Sequence, residues 1–572
     1  MSARPALLAA GLAACAAFGA TVAYLALTLG PGSSSGTALS PSPTDEEESK
    51  GQRLSIVEGP EVERPAPPAG APNVVLVIGC TFRRDQTTVY DPSLPTTPFL
   101  AARAADGVVF DDLVNAAPWT KAASTAIITG HHAVSLGMTE TSSRRNQKVL
   151  PSDVVTVAEA FRDAGWRTFG LTTNPNVHSR MGFAQGFDRY GEPAKLWREK
   201  MAKTPGRLAV AAALEWTAEL DDPFFLQVLL VDAHAPFPKE PLSDSDGVPE
   251  TVARYRAGLV GLDQQIRNLA EGLAAAGHDD TIFLVVNDHG EGLEFPAHHG
   301  KGHGRYLSSS AVGGIGVAWG PGVKQGGHVR GLSSQIDLAP TLLGLAGIDG
   351  WEGPGYDLSP VIAGTRERTP RARAYADTWF LKSSRAAMYS EDQMCQLNFR
   401  GDDHTDRHGH TFVDGCFDRA GDPASLRPLR DADAERELRL WRTEQMRIGA
   451  SRGRVEAIEL NGQPALLTIR ESSIGVPAER MRAKECCPFT QGPAQTNSKS
   501  SSWGSSTVIS MTEIMGSQST QSAPGSSGSA SHQWPAPGSA WYSSSLTKGS
   551  SKSNMICACA AGTLLSASPW MM

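Results

Sequence analysis

Between residues 73 and 348 the chain switches repeatedly between short apolar runs and longer stretches with apolar residues at helical spacing. Asn73 to Ile78 is a nearly continuous apolar run, the pattern of a central strand covered on both faces. Thr97 to Asp106 reads as a helix, Gly107 to Phe110 as a short strand, and Ala122 to Thr129 and Thr156 to Ala164 as two more helices. Further strands are predicted at Arg167 to Thr172, Phe224 to Val231, Thr281 to Val286 and Ile315 to Trp319. Arg254 to Ala275 has the spacing of an amphipathic helix, and Gln335 to Ile348 reads as another, with Pro340 where a first turn accepts it. Strands alternating with helices predict an α/β fold with a mostly parallel sheet flanked by helices.

The flanks have a different character. Pro5 to Gly30 is a charge-free apolar run of roughly bilayer-spanning length. Arg4 precedes it and Asp45-Glu46-Glu47-Glu48 follow, which favours the amino terminus inside and the remainder outside. A single-pass anchor and a cleaved signal both fit, and Leu12-Ala13-Ala14-Cys15 also fits a lipoprotein signal. Each reading predicts an extracytoplasmic main domain, periplasmic or at the cell surface. Residues 31–72 are dominated by Gly, Ser, Pro and Glu and read as a disordered linker. Residues 371–487 mix polar loops with short strands and read as a smaller C-terminal subdomain. From 488 to 572 Ser and Gly dominate and charge almost vanishes, as in a disordered tail.

Composition narrows the function. The 572 residues are 40% apolar and 20% charged, enough for a sizeable core. A net charge of -8 without a basic stripe argues against nucleic acid as a partner. Of the eight cysteines, Cys395 and Cys416 could pair outside the cytoplasm.

Three apolar runs end in residues of hydrolytic type: Cys80 after Gly79, Asp232-Ala233-His234 after Val231, and Asp288-His289-Gly290 after Asn287. In a parallel sheet such strand ends converge on one edge, so the pattern gathers a thiol, carboxylates and imidazoles. Taken singly, each has a plainer explanation: Asp232 as a helix-capping acid, Cys80 as a small buried apolar side chain. Thr120, in Ala117-Pro118-Trp119-Thr120-Lys121, fits either a helix N-cap or a nucleophile at a helix start. The loop from Ala297 to Gly304, with His298, His299, Lys301 and His303, fits either anion contact or a solvated turn.

The order of these segments resembles the sulfatase family of the alkaline phosphatase superfamily. The resemblance runs through the strand at Asn73, Arg83-Arg84-Asp85, Pro95-Thr96-Thr97-Pro98, Trp119-Thr120, Thr129-Gly130, the segment from Gly182 to Asp188, Asp232-Ala233-His234-Ala235-Pro236, Asp288-His289-Gly290, Gly302-His303-Gly304 and Ile336-Asp337. It implies an alkaline phosphatase-like sandwich, with a large sheet in a catalytic domain over 73–370 and a small sheet in the C-terminal subdomain. It also implies hydrolysis of sulfate or phosphate esters, small-molecule or glycan, with one divalent metal ion: calcium, magnesium, manganese or zinc. By position, the first metal ligand falls on Cys80, the later pair on Asp288 and His289, and the nucleophile on Thr120. His234 and His303 fall on substrate-contacting positions, and Asn174 lies near the active-site rim.

Two departures stand out. Formylglycine-forming relatives carry Cys or Ser within Cys/Ser-x-Pro-x-Arg, whereas this chain reads Thr120-Lys121-Ala122-Ala123-Ser124. Threonine cannot become that aldehyde, although phosphate-transferring relatives use it as a nucleophile, and Lys121 could stand in for the missing cation. Cys80 replaces an Asp, and a thiolate beside Asp288 and His289 suits zinc better than calcium or magnesium. An inactive sulfatase-like module that binds anionic glycans or lipids is therefore an alternative. A phosphoglycerol or phosphoethanolamine transferase is another.

Overall fold

The computed structural model describes residues 53–139, 148–194, 203–243, 247–293, 302–380, 383–399, 413–422, 425 and 427–452, together with strands Arg454–Leu460, Gln463–Ser472 and Ser506–Ser510. Ten strands form the main sheet: β1 (Leu54–Glu58), β2 (Asn73–Gly79), β3 (Val108–Val114), β4 (Arg167–Thr172), β5 (Arg189–Pro193), β6 (Phe224–Leu230), β7 (Thr281–Asn287), β8 (Gly313–Gly314), β9 (Gly316–Trp319) and β10 (Gly327–Ser334). Their order is β1-β5-β4-β6-β2-β7-β9-β3-β10, with β8 paired to β3. The run β5-β4-β6-β2-β7 is parallel, whereas β1 and β9 pair antiparallel with their neighbours.

The apolar runs sit where they are buried from both sides. Every residue of β2, β6 and β7 is buried, and the pleat of β2 sends its side chains into two cores. Val74, Leu76, Ile78 and Cys80 face one core, shared with helices Thr120–Thr129, Val157–Asp163 and Leu338–Ala346. Val75 and Val77 face the other, shared with helices Pro98–Asp106, Gly206–Thr217 and Glu250–Ala275. This is the helix-sheet-helix sandwich expected of the alternating pattern.

The C-terminal sheet is antiparallel, in the order β11 (Ala374–Thr378), β12 (Arg385–Tyr389), β13 (Gln393–Asn398) and β14 (Gly415–Asp418). One face packs on helix Ala432–Arg452 through Ala434 and Leu438. The other contributes Ala374, Ala376, Ala387 and Tyr389 to a core with Leu307, Val312 and Leu332, which seats it on the main domain. Cys395 and Cys416 are register partners on β13 and β14 and form a disulfide, a pairing the sequence allowed but whose spacing alone did not establish. The Arg442 guanidinium enters this domain buried and pairs with Asp377.

Several expectations change. The expected linker over 31–72 ends early, because β1 lies within it and pairs with β5, and Arg64 holds Asp188 at 2.6 Å. Local composition hid this, since an edge strand needs only one partner. Ser506–Ser510, inside the expected disordered tail, pairs with Gln463–Ser472. The remainder of that tail, the apolar run 5–30 and the loop residues His298, His299 and Lys301 lie outside the described residues. Among the described residues no helix is long and apolar enough to cross a membrane.

One buried group ties stability to pH. His132 follows helix Thr120–Thr129, is 4% exposed, and its Nδ1 has no hydrogen-bond partner. Burial, then the nearby Arg371 guanidinium, holds its pKa down from 6.5 to about 3. The unfolded chain therefore takes up this proton first, so the contribution is complete above pH 6.5 and is lost as pH falls toward 3. The melting temperature is expected to fall across that window and to fall less steeply in His132→Phe. Equal slopes for the two proteins by calorimetry would contradict this.

Candidate active site

The site grows from three adjacent strand ends. In β6-β2-β7, Gly79 is level with Leu230 on one side and Asn287 on the other. Cys80 N–H donates to Leu230 O at 2.8 Å and Asp288 N–H to Gly79 O at 3.1 Å, so Cys80 and Asp288 leave the sheet side by side. Thr81 then turns with φ of 55°, a costly conformation for a β-branched residue. The turn aims its N–H at Asp288 Oδ1, 3.0 Å away, and that oxygen also accepts from His289 N–H at 2.6 Å.

Cys80, Asp288 and His289 are fully buried, and their ligand atoms lie within 4.8 Å of one another. His289 Nδ1–H donates to Gly290 O at 2.7 Å, which leaves the Nε2 lone pair free to bind. Asp288 Oδ2 is buried without a hydrogen-bond partner. Burial pushes the Asp288 carboxyl up to about 6. Burial, and then the Asp288 charge, push the Cys80 thiol well up, while burial keeps His289 neutral. An orphaned carboxylate oxygen, an aimed imidazole nitrogen and a thiol form a donor set that fits a divalent cation of zinc type. These are the residues that would hold it.

Thr120 is the first residue of its helix, after Trp119 at the N-cap position, and no side-chain cap bond is made there. The plainer N-cap reading therefore fails, and the hydroxyl turns elsewhere. Thr120 Oγ1 lies 3.2 Å from His289 Nε2 and 3.5 Å from Cys80 Sγ. Asn174, just past β4, completes the group: its Nδ2 donates to Thr120 Oγ1 and Cys80 Sγ, both at 3.3 Å. Asn176 N–H donates to Asn174 Oδ1 at 2.9 Å, which fixes the amide with its NH2 toward the site. Lys121, the next residue of the helix, is buried.

The other imidazoles close one side. The His303 ring lies 4.4 Å from that of His289 and 5.3 Å from that of His234. Its Nδ1 is 3.2 Å from Glu291 Oε1. Burial alone would lower the His303 pKa, but the Glu291 charge and hydrogen bond carry it upward, and His303 in turn holds buried Glu291 down. An imidazole whose protonated form is favoured, packed against His289, suits contact with an anionic ester.

Asp232 is not part of the group. Its Oδ1 accepts from Gly206 N–H, at the start of helix Gly206–Thr217, as the capping explanation requires. His234 joins the site through its ring contact with His303, and its loop is held by Lys203 Nζ, which donates to Asp232 O at 2.8 Å and His234 O at 2.6 Å. Burial holds Lys203 down to about 8. Gln335 is a second unforeseen link. Its amide donates to Asn287 O and Asp288 O and accepts from Ala116 N–H, tying the tip of β7 to the segment that leads into Thr120. Lys203, Glu291 and Gln335 carry no motif of their own.

Comparison with known proteins bears on the fold that carries these residues. The Sulfatase family model matches residues 72–348, so the chain carries a sulfatase-family domain. No curated protein matches the chain in sequence. Among solved structures, a 2-O GAG sulfatase superposes with a TM-score of 0.52 at 18% identity, covering 65% of this chain and 91% of that one. Ps i-CgsB in complex with k-i-k-neocarrahexaose gives 0.53 at 18% identity, covering 66% and 93%. A protein bound to its substrate D-glucosamine-2-N,6-O-disulfate gives 0.51 at 15% identity, covering 66% and 98%. At these identities the likeness is one of fold: a large, mostly parallel sheet with a small antiparallel C-terminal sheet.

Proposed function

We propose that the protein hydrolyses sulfate esters of glycans or small molecules at the group formed by Cys80, Thr120, Asn174, Asp288, His289 and His303, with phosphate esters as the second substrate class. The observation that carries this reading is the Thr120 hydroxyl, freed from capping and held 3.2 Å from His289 Nε2 and 3.5 Å from Cys80 Sγ, beside two of the residues that would hold a cation. Thr120 Oγ attacks sulfur as its proton passes to a base within reach, and the ester oxygen leaves as the alcohol. His303 lies where it can supply that proton or hold the anion, and Asn174 N–H steadies the attacking oxygen. Water then cleaves the Thr120 ester, releasing sulfate and restoring the hydroxyl. A divalent cation on Cys80, Asp288 and His289 would supply Lewis-acid polarisation of the ester and lower the hydroxyl pKa.

The Cys395–Cys416 disulfide supports an oxidising, extracytoplasmic location, with residues 5–30 as the membrane anchor or signal. Glycan substrates are supported by the sugars bound to two of the similar folds. The neutral Cys80 thiol favours a second reading, an inactive module that binds sulfated glycans. Paired aryl sulfate and aryl phosphate esters, offered with zinc, manganese or calcium in turn, separate the two. Metal-dependent release, greater from the sulfate, is expected. No release from folded protein under any metal would favour the binding module.

A further inference from the structure

His303 sits on a segment with little structure of its own, yet its backbone is pinned from both sides. On the amino side Gly302 and Gly292 exchange both backbone hydrogen bonds, at 2.9 and 3.1 Å. On the carboxyl side the partners come from the small C-terminal sheet. Thr378 Oγ1, at the end of β11, donates to Gly304 O at 2.5 Å. Arg385 Nη1, at the start of β12, donates to Arg305 O at 2.8 Å, and the guanidinium lies 5.4 Å from the Tyr306 ring. The Tyr389 hydroxyl, at the end of β12, donates to Leu307 O. Phe380 fills the space beside Gly304, where an added Cβ would meet its ring at 2.6 Å, and the same ring packs on Trp119 next to Thr120.

The Thr378 and Tyr389 bonds are costly to lose, because donor and carbonyl are buried and no water replaces the donor there, while the Arg385 bond to the half-buried Arg305 carbonyl adds to them. We propose that the C-terminal sheet is a brace that positions the His303 imidazole, with Thr378, Arg385 and Tyr389 as positioning residues that act through the backbone at Gly304, Arg305 and Leu307. None of the three is argued to touch substrate. A second domain that fixes one catalytic side chain explains why polar and aromatic side chains from β11 and β12 converge on one short segment of the first. The inference rests on the ester-hydrolase reading.

Thr378→Val keeps the shape of the side chain and removes only the hydroxyl, whereas Thr378→Ser restores it. In Thr378→Val, kcat for aryl sulfate is expected to fall about tenfold with KM changed less than about twofold, as for a misplaced group that acts in the transition state. Thr378→Ser is expected to recover wild-type kcat. Combined with His303→Ala, Thr378→Val should add nothing further, because the group it positions is gone. Full additivity with His303→Ala, or an unchanged kcat in Thr378→Val, would overturn the brace. Hydrogen exchange of the peptide spanning residues 302–308, read by mass spectrometry, is expected to quicken in Thr378→Val and not in Thr378→Ser. If the wild-type protein releases no sulfate, the hydrolase reading fails, and this exchange measurement alone decides the brace: equal exchange in all three proteins refutes it.

Discussion

Thr120→Ala is expected to lower turnover of sulfate esters by at least about a thousandfold, because among the described residues no other hydroxyl shares its contacts with His289, Cys80 and Asn174. The folded state should survive. Thr120 makes no capping bond, so the loss is a small side chain and its local hydrogen bonds rather than a helix start. Thermal melting and near-ultraviolet circular dichroism check the fold, while single-turnover assays check the chemistry. Residual turnover within about tenfold of wild type would assign attack to water or another side chain and remove Thr120 from the role of nucleophile.

Cys80→Asp has the second largest expected effect. The natural donor set joins a thiol to one carboxylate and one imidazole, all fully buried. Zinc suits such a set, whereas calcium and magnesium prefer oxygen. The purified protein is expected to retain zinc. Cys80→Asp should weaken zinc retention by about a hundredfold and allow turnover with calcium or magnesium. Competition with a chromophoric chelator measures the first effect and metal-reconstituted ester hydrolysis the second. Equal zinc affinity in the two proteins would show that the Cys80 thiol is not a ligand. The neutral thiol would then be a packed side chain, in keeping with its place in the core beside Val74, Leu76 and Ile78.

Much of the main sheet was legible because its strands are buried on both faces. Such strands read as continuous apolar runs, and β2, β6 and β7 fall within a residue of the runs that predict them, while the more mixed β4 matches its expected bounds as well. Edge elements were not legible for the converse reason. β1 has only β5 for a neighbour, and β10, with Gly327, His328 and Arg330 in its sequence, alternates polar and buried positions at the far edge. Helix Gly206–Thr217 was also missed. Its start follows Pro205, with no local side-chain cap, and its first N–H is met by Asp232 from a distant strand end.

The same division runs through the site. Cys80, Asp288 and His289 could be placed together from sequence, because residues that end adjacent parallel strands must emerge on one edge. Thr120 and His303 came from the order of motifs. Whether Thr120 caps its helix or faces Cys80 and His289 was undecidable along the chain, since both readings need a hydroxyl at a helix start. Asn174 came from its place in the motif order, whereas Glu291, Gln335 and Lys203 act through contacts with residues elsewhere in the chain, so no local pattern marks them.

The sequence by itself therefore determined the α/β class, the central strands and the edge at which a thiol, a carboxylate and an imidazole meet, because periodicity and burial are properties of each segment and its nearest neighbours. Only the tertiary structure decided which hydroxyl faces them, that Asp232 serves a helix instead, and that the C-terminal sheet grips the His303 segment. Those outcomes depend on hydrogen bonds between residues tens to hundreds of positions apart, such as Thr378 to Gly304 and Thr120 to His289, whose geometry exists only once the layers have packed.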